Sequence, residues 1–269
     1  MAQIKKIFYF FLFTYCWSWS FWGLTILLKG SLATWYFFLL YALGGIAPSA
    51  VGIILSFQEE NLDRTEYWRR FTDIKRFSWI WGLIAFFGPI VIVCIAILLD
   101  IVFFGYTTQF DNIIGVFLEP LGLFTILGFG IVAILIEEFG WRAFALPKLL
   151  QSTTPFVSSS ILGLLWACWH IPLFFISGTY QNGLGLFTPD FYIYLSQAFL
   201  FTFLITYLFK KTKYSLISAM IAHFANNIAG ELFGPSPRIA LIRTILFLVL
   251  SILIVISWSG EGKNVPKKE

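Results

Sequence analysis

The chain has 269 residues, 59% hydrophobic and 20% aromatic, with only 12% charged and a formal net charge of +4. That balance excludes a soluble globular domain, and repeated apolar runs of about 20 residues imply a polytopic membrane protein. The positive excess is what loops beside anionic lipid require and gives no reason to expect nucleic acid as a partner.

Eight apolar runs can be marked, at about 7–28, 34–57, 78–104, 121–143, 157–176, 190–209, 214–233 and 239–258. The expected fold class is an all-α integral membrane protein of about eight transmembrane helices. Basic residues sort by connection. Lys5 and Lys6 precede the first run; Arg64, Arg69, Arg70, Lys75 and Arg76 follow the second. Arg142 and Lys148 follow the fourth, Lys210, Lys211 and Lys213 the sixth, and Lys263, Lys267 and Lys268 lie in the tail. The odd connections hold only Lys29 and Arg238, with Arg243 counted beside the last of them. The positive-inside rule then places the N and C termini in the cytoplasm.

The first run follows basic residues as a signal peptide would. It is too long for one and lacks a small-residue cleavage site, so a retained span is expected. In the second run Ala47-Pro48-Ser49, with Gly44, Gly45 and Gly52, predicts a kinked helix with close helix contacts, or else a ligand cleft at the kink. Residues 58–77 place Tyr67, Phe71 and Ile74 on one face among basic residues. They read as a cytoplasmic helix at the interface or a solvated basic loop. The third run is long enough to tilt or break near Gly88-Pro89, and 105–120, with Asp111 and Glu119, reads as an outside loop. There is no internal repeat or dividing linker, so residues 1–269 are expected to form a single polytopic domain. Cys16, Cys94 and Cys168 fall inside apolar runs and make neither a disulfide framework nor a zinc spacing.

The fourth run carries no charge from 121 to 136, and then Glu137, Glu138 and Arg142 arrive together. A charge at bilayer depth costs roughly 2.5–3.5 kcal/mol on insertion scales, so such groups face a protein interior and mark function. Glu138 and Arg142 are i,i+4 neighbours and can pair. Glu137 lies about 100° round the helix, too far to share that arginine easily. One carboxylate is thus neutralised and the other is left in the setting of a general base.

Two further polar insertions follow. Trp166 and His170 share a helix face, and Pro172 cannot donate to the carbonyl of Cys168, which kinks the chain beside the histidine. His223 and Asn227 are i,i+4 in the seventh run, with Asn226 beside them. Taken singly, His170 could be satisfied by a neighbouring backbone group and the seventh helix could be polar glue. Yet both histidines of the chain lie in spans, at depths that suit the two acids if the fifth helix starts late or tilts. A base, two imidazoles and an amide in one wet cavity fit acyl-bond hydrolysis. The zinc-protease His-Glu-x-x-His, the Gly-x-Ser-x-Gly elbow and a pair of intramembrane Asp are all missing, and Cys168 sits on a different face from His170.

Glu137-Glu138-x-x-x-Arg142, then Trp166-x-x-x-His170, then His223-x-x-x-Asn227 resembles the CAAX prenyl endopeptidase type II family. This is the CPBP or Abi group of intramembrane proteases, which includes the Ras-converting endoprotease. The likeness covers about residues 120–232, with Trp166 standing where that family usually has Phe. It implies an eight-helix fold open to the cytoplasm and the bilayer. It also implies that Glu137 activates water with help from His170, that His223 and Asn227 stabilise the oxyanion, and that Glu138 and Arg142 orient and charge-balance the site. The substrate would be a membrane-associated peptide or protein in the lipid bilayer, and the plasma membrane is the expected location. No cofactor is the preferred expectation; Zn²⁺ on two His and two Glu is the alternative. A non-enzymatic immunity or scaffold member of the same group is the competing function. A transporter lacks its inverted repeats.

Overall fold

The computed structural model describes residues 2–105 and 109–260; the basic tail with Lys263, Lys267 and Lys268 lies outside them. The described chain is all helical, without strands, apart from one isolated bridge between Ser31 and Ser177. In order run α1 (Ala2–Leu27), α2 (Trp35–Gly45), α3 (Ala47–Phe57), α4 (Asn61–Thr72) and α5 (Trp79–Phe104). Then come α6 (Gln109–Leu118), α7 (Pro120–Gly140), a π-helical turn (Trp141–Ala145), α8 (Leu146–Ser152) and α9 (Pro155–Trp169). A 3₁₀ turn (Ile171–Phe175), α10 (Tyr180–Leu184), α11 (Pro189–Lys211), α12 (Leu216–Phe233) and α13 (Pro237–Gly260) complete the chain.

Each of the eight expected runs is helical. Among the described residues six helices are long and apolar enough to cross a membrane, and α2 with α3, bent by 42°, makes a seventh where the two are one span. The remaining run is α12, with 18 residues, diluted by His223, Asn226, Asn227 and Glu231. The helix that carries part of the candidate chemistry is thus the one of the eight runs that does not qualify as a span by length and apolarity. Outward faces form a lipid-ready belt, with Val102, Phe103, Leu121 and Phe124 all largely exposed.

The second run breaks where the sequence predicts. Pro48 has no N–H for the carbonyl of Gly44, and the Ser18 hydroxyl on α1 donates to that oxygen instead, at 2.8 Å. The Trp17 indole similarly serves the Leu43 carbonyl at 2.9 Å. The break brings α3 hard against α7. A Cβ on Gly140 would lie 2.1 Å from the Pro48 carbonyl oxygen, and one on Gly52 would lie 2.8 Å from the Gly140 Cα. Packing is what the kink achieves.

Several expectations need correction. Residues 105–120 are not simply a loop, since Gln109–Leu118 is helical. The Gln109 carboxamide donates to the Gly234 carbonyl after α12. α5 continues unbroken through Pro89, with α12 and α13 packed along it, the setting in which a membrane helix tolerates proline. The fifth run is α-helical only to Trp169, because His170 and Pro172 end it rather than kink it. Of the Tyr67, Phe71 and Ile74 face only Tyr67 is buried. Its hydroxyl donates to the Phe139 carbonyl, and Arg70 donates to that of Ala143, so α4 docks across the π turn.

Ion pairs tie the helix ends. Arg238 at the start of α13 grips Asp100 of α5 with two hydrogen bonds. Glu59, after α3, accepts from Lys6 and Lys148. Burial alone would push its pKa up; the hydrogen bonds from the two lysines outweigh that and hold it below the usual carboxylate value.

The α3–α7 contact is backbone against backbone and has no flexible side chain to yield. Gly140→Ala should therefore destabilise the protein by at least the roughly 1–3 kcal/mol typical of overpacking. Gly128→Ala on the same helix, with nothing within 4 Å of the new Cβ, should leave it unchanged or slightly firmer. Thermal unfolding of the two variants in detergent micelles, followed by tryptophan fluorescence, checks the pair.

Candidate active site

The site grows out of the irregular end of α7. An α-helical Glu138 would reach Arg142 one turn on, and it does so: the guanidinium Nη1 donates to Glu138 Oε1 at 2.8 Å, with both side chains 0% exposed. The π turn begins between them, and its five residues are all buried. Such turns interrupt α-helices at functional sites more often than elsewhere. Here Gly140 lets α3 approach immediately beside the turn.

α12 supplies the next layer. His223 Nδ1 lies 2.7 Å from the same Oε1 of Glu138. An imidazole facing a carboxylate must donate, so Nδ1 carries a proton. One carboxylate oxygen therefore takes an arginine and a histidine together. This fixes α7 to α12 at the depth of the acids.

α9 supplies the third. Helix termination at Trp169 frees carbonyls that need donors. Tyr15 donates its hydroxyl to Leu165, the Trp19 indole donates to Trp169 at 3.3 Å, and His170 Nδ1 donates to Trp166 at 2.8 Å. The last contact fixes the His170 tautomer: Nδ1–H faces the carbonyl and Nε2 keeps its lone pair.

Trp166 stands at the centre. Its indole Nε1 donates to Glu137 Oε2 at 2.6 Å. Its ring lies 5.3 Å from that of His223 and 5.6 Å from that of His170, edge to face in each case. Arg142 covers the indole, its guanidinium carbon 4.2 Å from the ring centre, a cation–π contact. Behind it, Trp169 donates to the Ser18 hydroxyl at 2.8 Å, which links the α2–α3 kink to the helix that ends at His170.

Five of the six expected residues thus surround one indole: Glu137, Glu138, Arg142, His170 and His223. The two acids are held differently. Glu138 is locked by a guanidinium and an imidazole, whereas among the described residues only the Trp166 indole hydrogen-bonds Glu137, which keeps 7% of its surface exposed. Glu137 shares the Trp166 ring with His170, 5.6 Å from that ring, and His170 in turn lies against Tyr194. Asn227 is half-buried and makes no hydrogen bond to the other five among the described residues. Its neighbour Asn226 is taken up by Arg243.

Two contributors went unmarked in the sequence. Tyr194 on α11 lies 5.6 Å from His170 ring to ring, and its hydroxyl accepts from Gln181. Arg243, expected near a loop, lies within α13 and is 5% exposed. The signal for both was a polar side chain inside an apolar run. As for a metal, both Nδ1 atoms are engaged and each Nε2 is left for another partner, an arrangement that metal-bound histidines also show; among the described residues no group of three or more His, Cys, Asp and Glu side chains is arranged to hold an ion.

Residues 119–229 match the family model described as Type II CAAX prenyl endopeptidase Rce1-like. That segment contains all six candidate residues. The chain is also similar to CAAX prenyl protease 2 of Methanococcus maripaludis, 28% identical over 219 residues that cover 79% of each chain. Both comparisons bear out the resemblance read from the three motifs.

Removing one partner of a buried ion pair leaves an unpaired charge, at about 3–5 kcal/mol. Arg142→Ala should therefore destabilise the protein by that order, and Glu138→Ala likewise. The double variant should cost clearly less than the two losses added together. Thermal or denaturant unfolding of the three variants in micelles measures the coupling.

Proposed function

We propose that the chain is an intramembrane endopeptidase of the Rce1-like type, hydrolysing a peptide bond of a membrane-associated protein or peptide. CAAX-type processing of a prenylated C-terminus is the reading that both comparisons favour. The observation that carries it is the division of labour between the adjacent acids: Glu138 is consumed by Arg142 and His223, while Glu137 is held by one indole whose ring also abuts His170.

In this reading Glu137 accepts a proton from a water that His170 Nε2 helps to hold. The water oxygen attacks the peptide carbonyl. Negative charge develops on the carbonyl oxygen, where the Asn227 carboxamide donates. His223 donates there from Nε2 when both its ring nitrogens carry protons, with Nδ1 fixed on Glu138. The proton on Glu137 then passes to the leaving amine as the C–N bond breaks. Glu138 and Arg142 touch none of the reacting atoms and act by holding His223 and Trp166 in place. A positioned base and donors preorganised where charge appears are the usual large contributors to such a step. The step is read here without a metal, Glu137 acting as the base and the two imidazoles as oriented hydrogen-bonding groups.

The same reading takes residues 1–269 as one membrane domain with its core at about 120–232. It places both termini in the cytoplasm, which the sorting of basic residues supports, in a plasma membrane.

Glu137→Gln should abolish cleavage while the protein accumulates normally. Asn227→Ala should lower turnover by about 10²–10³, the usual loss for one oxyanion donor. Chelator should leave the wild-type rate unchanged. Comparative peptidomics of membranes containing wild type or Glu137→Gln reads the first outcome without a known substrate. Identical peptide profiles would point to a non-enzymatic member of the group.

A further inference from the structure

The bundle holds a second buried guanidinium, far less compensated than Arg142. Arg243 is 5% exposed and lies against the Phe247 ring. Its Nη2 donates to Asn226 Oδ1, and its Nε is buried with no hydrogen-bond partner. Among the described residues no carboxylate acts on its charge, only the Tyr180 phenol. Arg238, one and a half turns earlier and with a half-exposed side chain, has a carboxylate to itself. The arginine that most needs an anion is the one without it, and a buried unpaired charge is costly to keep.

Its position gives that cost a use. Asn226, which Arg243 holds, is the neighbour of Asn227 and lies one turn along α12 from His223. On the facing helix α11, Tyr194 and Gln197 are i,i+3. The Tyr194 ring lies 5.6 Å from His170 and 6.3 Å from Tyr180. The Gln197 carboxamide donates to the Ala240 carbonyl and the Thr244 hydroxyl beside Arg243, at 2.9 and 3.0 Å. Polar side chains therefore run from His170 to Arg243 between α9, α11, α12 and α13, in helices otherwise built of apolar residues. Intramembrane polar strips of this kind mark substrate paths.

We propose that Arg243 is the specificity-determining seat for a free carboxylate, the C-terminal carboxylate of the peptide whose scissile bond lies at Glu137 and His223. The proposal rests on the protease reading given above. A guanidinium offers N–H donors in a fork that matches a carboxylate's two oxygens; Nε and the unused Nη protons supply it here. Asn226 is a positioning residue that aims the fork. A site built this way measures from the chain end, so the enzyme releases a short C-terminal fragment and passes over internal peptide bonds.

The test uses the full-length protein in nanodiscs and a peptide with a prenylated cysteine near its C-terminus, made as the free acid and as the C-terminal amide. Binding is read by fluorescence polarisation on Glu137→Gln, and hydrolysis on the wild type. The free acid should bind and be cleaved about tenfold or more better than the amide. Arg243→Gln should bring that ratio close to one, and Arg243→Lys, which keeps the charge without the fork, should restore part of it. A purely structural arginine would instead depress both peptides together and preserve the ratio in Arg243→Gln. That result, or an equal response of the parent protein to acid and amide, overturns the proposal. A binding preference that Arg243→Gln removes, with neither peptide hydrolysed by the wild type, sinks the protease reading and leaves the carboxylate seat standing.

Discussion

One carboxylate oxygen organises the interior of this protein. Glu138 Oε1 accepts from Arg142 and His223 at the same time, and the three side chains are at most a few per cent exposed. Two charges buried at bilayer depth are tolerable only as a pair, and the pair fixes more than itself. It draws the end of α7 to α12, and it holds Arg142 over the face of Trp166. Trp166 in turn donates to Glu137 and stacks edge-on against both histidines. Without the shared oxygen there would be no reason for the indole, the base and the imidazoles to keep a common geometry. The ion pair adds orientation rather than net stability, since buried pairs of this kind seldom outdo well-packed apolar residues.

The backbone around that oxygen is irregular on every side, for reasons that can be assigned. Pro48 breaks the second run, and the Ser18 hydroxyl repairs the lost hydrogen bond. Gly140 and Gly52 let the broken segment press on the π turn. His170 and Pro172 end α9, and side chains from α1 cap its last carbonyls. Three helix defects thus converge on a single volume. A regular α-helix presents its polar side chains at fixed angles, and the groups here come from a helix end that runs into a π turn, a helix terminus and one uninterrupted helix. Precise placement of carboxylates against two imidazoles is easier when two of the three carriers adjoin irregular backbone.

Much of this could be read in the sequence, and the exceptions are instructive. Hydropathy located all eight helical runs, and i,i+4 spacing found the Glu138–Arg142 pair and separated Glu137 from it, because those are properties of a helix in isolation. Pro172 signalled a disturbance beside His170, though periodicity could not say that the helix would stop. The donor to Glu137 was invisible: an indole in an apolar run reads as bulk, and which atom it offers depends on a partner 29 residues away. Arg243 was misplaced for a similar reason. Near a run's end an arginine resembles a loop charge, and only the packing of α13 on α11 and α5 shows it buried. The helix at Gln109–Leu118 escaped because Thr107, Thr108, Asp111, Asn112 and Glu119 read as a polar connection between two long apolar runs.

The bilayer gives the final constraint. α7 shows lipid-facing side chains along most of its length: Phe129, Val132 and Leu135 are 58%, 52% and 44% exposed. Two residues after Leu135 the helix carries Glu137, 7% exposed, and then Glu138 at 0%. The change from lipid surface to closed polar interior takes less than one turn. A water-soluble protein would separate such zones with a layer of intermediate polarity, because its surface is already polar. Here the outer zone must be apolar, so the acids have to be enclosed by protein immediately, and the π turn, α4 and α12 provide that enclosure. Under the proposed protease reading, lipid side and reactive side are therefore two faces of one helix end, and the geometry that shields the charges would also admit a membrane-bound substrate to them.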